Sequence, residues 1–203
     1  CKDFNLGNLE HNYFQPSATL NTLIDVYKYW LAYADLDGYR IDAVKHMPQE
    51  AIKLFVSKIT QFAAQIGKDN FYLIGEIAGG IPNARQVLTQ TGLKAFIGID
   101  DLPAALVNMM RGQADPQDYF AFYENEINNR DFDKISHCHM ITIYDDHDQI
   151  RLGYDKARFP HGSTDNRRLA KNALFVLLTT QGIPCIYYGS EQGFDGAGRD
   201  DNY

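Results

Sequence analysis

The chain has 203 residues, of which 45% are hydrophobic and 22% charged. That is ordinary globular composition, with enough chain for one sizeable core. The formal net charge is −7, which argues against nucleic acid and anionic membranes as partners, and no apolar run reaches membrane-spanning length. The three cysteines, Cys1, Cys138 and Cys185, match no zinc or disulfide spacing. Cys138 and Cys185 lie in apolar runs and read as buried free thiols. The chain starts without Met and reads as a fragment, so its start says nothing about targeting and the compartment stays unassigned.

In chain order, "SATLNTLIDVYKYWLAYA" (17–34) carries apolar residues at helical spacing, with Ser17 as its N-cap. Tyr27, Trp30 and Tyr33 share that spacing and read as core. "GYRIDAV" follows as a short strand. "MPQEAIKLFVSKITQFAAQIG" is an amphipathic helix with Pro48 in its first turn and Gly67 at its stop. "FYLIGEI" (71–77) is a continuous apolar run, as a buried parallel strand requires. "NARQVLTQTG" reads as helix, "AFIGID" (95–100) as strand, "LPAALVNMMRG" and "PQDYFAFYENEIN" as helices. "HCHMITIYDDHD" (137–148) is a strand running into acids. "TDNRRLAKNALFVLLTTQG" is a long helix, and "IPCIYYGSEQG" opens with a last strand.

Strand followed by helix, repeated, predicts a parallel sheet with right-handed crossovers. The predicted strands are 38–44, 71–76, 95–100, 138–144 and 183–188. An open doubly wound sheet and a segment of a (β/α)8 barrel both fit. No strand is followed by a glycine-rich phosphate loop. Both architectures bind ligands at the carboxyl ends of their strands. There this chain keeps Asp42, Glu76, Asp100 with Asp101, Asp148 and Glu191.

Arg40 and Asp42 are two apart and share a strand face, with Tyr39, Ile41 and Ala43 on the other. The guanidinium would hold an inward Asp42 ionised, and a fixed carboxylate is a usable nucleophile. Glu76 ends an apolar strand among Ile74, Gly75, Ile77 and Ala78. Desolvation there favours the protonated acid. One carboxylate held charged and one held neutral is the division of labour in glycoside chemistry. Asp42 to Glu76 spans about one βα unit of roughly 30 or more residues, and Glu76 to Asp148 about two. All three acids can therefore meet at one end of one sheet.

"DGYRIDAVKH", "LIGE" and "YDDHD" resemble the second, third and fourth signature regions of the α-amylase family of glycoside hydrolases (family 13). "PCIYYGSEQGFDGAG" is similar to that family's eighth strand and following loop. The resemblance implies the C-terminal part, about strands 4–8, of a (β/α)8 TIM barrel. Residues 1–203 would then be a partial catalytic domain, without strands 1–3 and the inserted domain. It implies Asp42 as nucleophile, Glu76 as acid and base, and Asp148 as transition-state stabiliser. Arg40 and His147 would position groups around the sugar, and Lys45 and His46 would contact it on the leaving-group side. The implied reaction is hydrolysis of α-glucosidic bonds in starch-like glucans or oligosaccharides, with retention through a covalent glycosyl-enzyme. It further implies a calcium ion, most of whose ligands lie outside this stretch; the His46 carbonyl would be one. There are two departures. Asp146 stands where the family has Asn, and the family's first region is absent.

Two neighbouring readings remain open. A transglycosylase or isomerising relative differs only in the acceptor, and a binding subunit of the family would lack the chemistry altogether. Singly, each motif has a plainer account. Arg40–Asp42 could be a structural ion pair, Glu76 a cap, and Lys45, His46, His147 and Asp148 solvated side chains. His137 and His139 with the acids after them suggest a metal, but these histidines lie at the strand's amino end, the wrong end for a barrel site. Five strands cannot close an eight-stranded barrel. The piece alone is therefore expected to be inactive, with open sheet edges as places for self-association.

Overall fold

The structure is a computed structural model that describes residues 4–97, 101–127, 139–147 and 166–192. The chain divides into two compact units, residues 1–96 and 97–203.

The first unit opens with an antiparallel hairpin, β1 (Gly7–Glu10) and β2 (Tyr13–Pro16), with Glu10 opposite Tyr13. Its two-residue turn puts both His11 (φ 49°) and Asn12 (φ 66°) in the left-handed region. That matches the twist of the flanking strands. Helix α1 (Ala18–Tyr33) follows, and the Ser17 side chain accepts the Leu20 N–H at its start. The Ser17 hydroxyl also donates to the Asn5 carbonyl at 2.6 Å, tying the helix to the hairpin's approach. α1 buries Leu20, Ile24 and Leu31. Trp30 and Tyr33 lie off that stripe and are exposed, 47% and 71%. Their shared spacing with Tyr27 suggests core; instead they lie edge-on to each other, with Trp30 edge-on to Tyr29 and the Tyr29 ring stacked on Tyr33. Tyr27 is exposed as well, 39%, although its ring lies edge-on to Tyr39 and Phe55.

Strand β3 (Gly38–Ile41) stops three residues short of the predicted end. A 3₁₀ turn, Val44–His46, follows it. Helix α2 (Gln49–Gln65) starts after Pro48 and buries Ala51, Ile52, Val56, Ile59 and Ala63. Gly67 (φ 82°) ends it and lets the Lys68 N–H reach back to the Ala63 carbonyl. α1 packs on α2, and Leu20, Ile24 and Ala51 form a cluster flanked by Leu6, Phe14, Leu54 and Phe55. Full burial of side chains such as Leu31 and Ile59, both 0% exposed, contributes about 1.5–3 kcal/mol each.

Strand β4 (Tyr72–Glu76) pairs parallel with β3 in the register Gly38↔Tyr72 through Ile41↔Gly75. The close approach explains Gly38, where a Cβ would sit 2.3 Å from the Tyr72 carbonyl oxygen. Helix α3 (Gly80–Thr91) packs on α2 and ends at Gly92. β5 (Ala95–Ile97) is the neighbour of β4 and closes the unit.

The second unit holds α4 (Asp101–Met110), α5 (Pro116–Ile127), β6 (Met140–Thr142), α6 (Asn166–Thr179) and β7 (Ile183–Pro184). β6 and β7 pair parallel, Ile141 opposite Ile183. α4 packs on α5 and α6. Buried Tyr119 and Tyr123 share hydroxyl contacts with each other at 3.3 Å and with the end of α6 at Thr180. Burial, then Tyr119, pushes the Tyr123 phenol far up. Among the described residues no helix is long and apolar enough to cross a membrane.

Candidate active site

The carboxyl ends of β3 and β4 carry the first half of the predicted set. Arg40 reaches Asp42 Oδ1 through Nη1 at 2.6 Å and Glu76 Oε2 through Nη2 at 3.1 Å. One guanidinium thus grips both carboxylates, each with a separate nitrogen. The rigid fork suits such a double contact as an ammonium would not.

The two acids differ in setting. The Glu76 side chain is 12% exposed, whereas that of Asp42 is 72% exposed. The inward, crowded place expected for Asp42 is therefore corrected. β3 ends at Ile41, so strand alternation no longer governs Asp42. The following residue, Ala43, is left-handed (φ 50°), a conformation costing a non-glycine residue about 1–2 kcal/mol. The bend aims the Ala43 N–H at Glu76 Oε2, 2.9 Å away. Glu76 is thus sheltered, but with a cation and a backbone donor beside it as well as the apolar residues read from sequence. Ala43 was not singled out from sequence, and no residue pattern announces a left-handed alanine.

Lys45 and His46 sit in the 3₁₀ turn, both exposed. Val44, 3% exposed, anchors that turn. Its Cγ2 lies where a Cβ on Gly75 would meet it at 3.2 Å, so Gly75 makes room for it. Behind β3, the Tyr39 hydroxyl donates to the Tyr27 carbonyl at 2.6 Å. Burial, with Tyr27 adding to it, raises the Tyr39 phenol's pKa, so it remains a neutral donor that fixes α1 to the strand. A cleft of about 340 Å³ lies between α1, α2 and β3. Its charged lining residues are Arg40 and Asp42, and the rest are apolar or tyrosine.

In the second unit β6 ends at Thr142, and the acids follow it. His147 is half-buried, its ring 6.2 Å from that of Tyr187. Asp146 is half-buried, and Asp145 is 2% exposed. The Ser190 hydroxyl donates to Asp145 Oδ2 at 2.7 Å. Sequence reasoning passed over Asp145. The signal available was its place directly after the apolar Ile143–Tyr144 pair, which marks chain still entering the core. Asp148, Asp100, His137, Cys1 and Cys138 lie outside the described residues. Cys185 is a free, half-buried thiol whose pKa burial raises.

Among the described residues no three His, Cys, Asp or Glu side chains stand close enough to hold a metal ion. The calcium ligand that the resemblance implies within this stretch is the His46 backbone carbonyl, which lies in the exposed 3₁₀ turn. His139 precedes β6 at its amino end, away from the acids.

A family model described as the catalytic domain of alpha amylase matches residues 7–202. The chain is 30% identical over 205 residues to the cyclomaltodextrin glucanotransferase of Bacillus sp. (strain 38-2), covering 98% of this chain and 25% of that protein. It is 27% identical over 201 residues to the α-amylase of Streptomyces lividans, covering 98% and 21%. The chain thus spans about a quarter of the length of these relatives. Among solved structures, an Anoxybacillus α-amylase matches with a TM-score of 0.68 at 24% identity, over 90% of this chain and 38% of that one. The Geobacillus thermoleovorans α-amylase, solved with acarbose, matches with a TM-score of 0.60 at 23% identity, over 96% and 42%. These likenesses give the fold, a part of the (β/α)8 barrel. With the family model covering nearly its whole length, the chain belongs to the α-amylase catalytic-domain family.

Proposed function

We propose that the protein carrying this chain is a retaining glycoside hydrolase acting on α-linked glucans or oligosaccharides. The observation behind the proposal is the shared guanidinium: Arg40 binds both Asp42 and Glu76 at the carboxyl ends of adjacent parallel strands. Retention needs two carboxyl groups flanking one glycosidic bond, about 5–5.5 Å apart.

In this reading Asp42 attacks the anomeric carbon, and its bond to that carbon forms as the glycosidic C–O bond breaks. Glu76 delivers its proton to the departing oxygen. Water then enters, its oxygen bonds the anomeric carbon as Glu76 takes its proton, and the C–O bond to Asp42 breaks with a second inversion. The open position of Asp42 suits attack on an incoming sugar, and the sheltered position of Glu76 suits proton transfer away from bulk water. Ala43 and Arg40 hold Glu76 in place. Asp148 stabilises the oxocarbenium-like transition state, His147 and Arg40 position the sugar, and Lys45 and His46 meet it on the leaving-group side. Residues 1–203 are the part of the barrel from about strand four to strand eight, and turnover belongs to the longer protein.

Similarity to cyclomaltodextrin glucanotransferases favours a second reading on the same residues, in which a sugar hydroxyl replaces water as the acceptor. Products from maltooligosaccharides separate the two: shorter reducing chains for hydrolysis, longer or cyclic ones for transfer. For either, Glu76→Gln in the full-length protein lowers kcat by about 10²–10⁴-fold. A fluorinated glycosyl fluoride leaves a sugar on Asp42, detected by peptide mass. Unchanged turnover in the variant, or a label on another carboxylate, removes these assignments. A binding-only role requires measurable glucan affinity with no turnover by the wild type.

A further inference from the structure

Asp145 differs from the residues after it. Asp146 and His147 are half-buried, while Asp145 is 2% exposed and its partner Ser190 4% exposed. The Ser190 O–H to Asp145 Oδ2 distance of 2.7 Å is that of a short, charge-assisted hydrogen bond. Ser190 also opens a 3₁₀ turn, Ser190–Gln192. Its N–H donates to the Tyr187 carbonyl at 3.0 Å, and the Gln192 N–H to the Gly189 carbonyl at 3.0 Å. The Tyr187 ring in turn faces His147. The chain after β6 and the chain after β7 are thus joined by a buried hydroxyl–carboxylate bond and by a ring contact nearer the surface. A buried carboxylate is costly to desolvate unless it is hydrogen-bonded. Its best-attested use is to fix one arrangement out of several.

We propose that Asp145 is a positioning residue. Its bond to Ser190 sets the end of β6 against Tyr187 and so fixes how His147 is presented to the sugar. This rests on the glycosidase reading for His147, not for the bond itself. Asp145 and Ser190 are both buried, and the Ser190 hydroxyl is what the bond requires, since neither Ala nor an aliphatic side chain can donate to the carboxylate.

The test uses the full-length protein with Ser190→Ala and Ser190→Thr, the second keeping the hydroxyl. Asp145→Asn is a third variant. The readouts are kcat and KM on maltooligosaccharides, the His147 ring NMR resonances and Tm. Ser190→Ala is expected to lower kcat about tenfold with KM within about threefold, the pattern of a lost transition-state interaction. The His147 resonances shift, and Ser190→Thr restores both to within about twofold. If Ser190→Ala leaves kcat and the His147 resonances at wild-type values, the proposal is overturned, even if Tm falls. If the wild type turns over no α-glucan, the glycosidase reading fails, and the resonances alone then decide whether the bond orients His147.

Discussion

The two ends of β3 solve the same problem in opposite ways. At the amino end, Lys68 meets Asp35 Oδ1 at 2.7 Å and Asp37 Oδ1 at 2.9 Å, and both side chains are at least 90% exposed. At the carboxyl end, Arg40 meets Asp42 and Glu76, the second only 12% exposed. Each end therefore sets one cation against two carboxylates. Only the Arg40 end adds a backbone donor and shelters one of its acids. The Lys68 tie fastens a loop to the end of a helix. The Arg40 tie holds two carboxylates in unlike surroundings, one open and one sheltered. Charge count does not separate the two ends, whereas the difference in shelter within the pair does.

The sharpest way to break that contrast is Arg40→Lys, which keeps the charge and removes the fork. A point charge cannot hold both oxygens in the same geometry. Activity of the full-length protein should fall about 10²-fold, the scale set by small misplacement of reacting groups. Stability should fall by about 1–3 kcal/mol, because Glu76 loses a partner in a sheltered place. Steady-state kinetics and denaturant titration measure the two. A variant with wild-type kcat would mean that the fork is structural only.

Gly38→Ala tests whether the strand between the two ends must lie this close to β4. The added Cβ would meet the Tyr72 carbonyl oxygen at 2.3 Å, and backbone cannot swing aside as a side chain can. Overpacking of this kind costs about 1–3 kcal/mol. The parallel register at Gly38↔Tyr72 should loosen, and Tyr72 N–H exchange should rise, because that N–H donates to the Asp37 carbonyl at 2.9 Å. Unchanged melting and exchange would show that the strands can part at no cost.

How much of this was readable beforehand follows from where each interaction comes from. Ser17, Pro48 and Gly67 mark helix ends by local chemistry, and the structure puts α1 and α2 between them. The Arg40–Asp42 contact is present, although Asp42 lies past the strand end and the alternation that suggests it does not reach that residue. The grip of Arg40 on Glu76 could not be read, because it depends on the register of β3 against β4, set by strand pairing rather than by either segment. The exposure of Asp42 was misjudged, because the strand's stop at Ile41 depends on a backbone choice at Ala43. The hairpin at its start was also missed, its signal being only Asn12 in a stretch of otherwise unremarkable turn residues. Tyr27, Trp30 and Tyr33 mimic a core stripe in sequence because the aromatic spacing on α1 runs beside the true stripe of Leu20, Ile24 and Leu31.

The smallest effect is expected at the Lys68 end, and its pH dependence separates the two ends. Hydrogen bonding to Lys68, then its charge, holds the Asp35 carboxyl below its ordinary 3.8. The bonds to Asp35 and Asp37 raise Lys68 above its ordinary 10.5. A lowered acid adds stability that is present above its unfolded value and is lost as pH falls through the folded one. A raised amine adds stability that is present below its unfolded value and is lost as pH rises through the folded one. The tie is therefore fully present between about pH 5 and pH 9 and fades on both sides. Being exposed, it should also fade with added salt. Denaturant midpoints of wild type and Lys68→Met should differ by a small, constant amount across that window. The gap should shrink below pH 4 and in about 1 M salt, where screening is nearly complete. Glucan turnover should be unaffected by Lys68→Met throughout. A loss of kcat in that variant would mean that the two ends of β3 are coupled, and that the amino-end acids do more than fasten a loop.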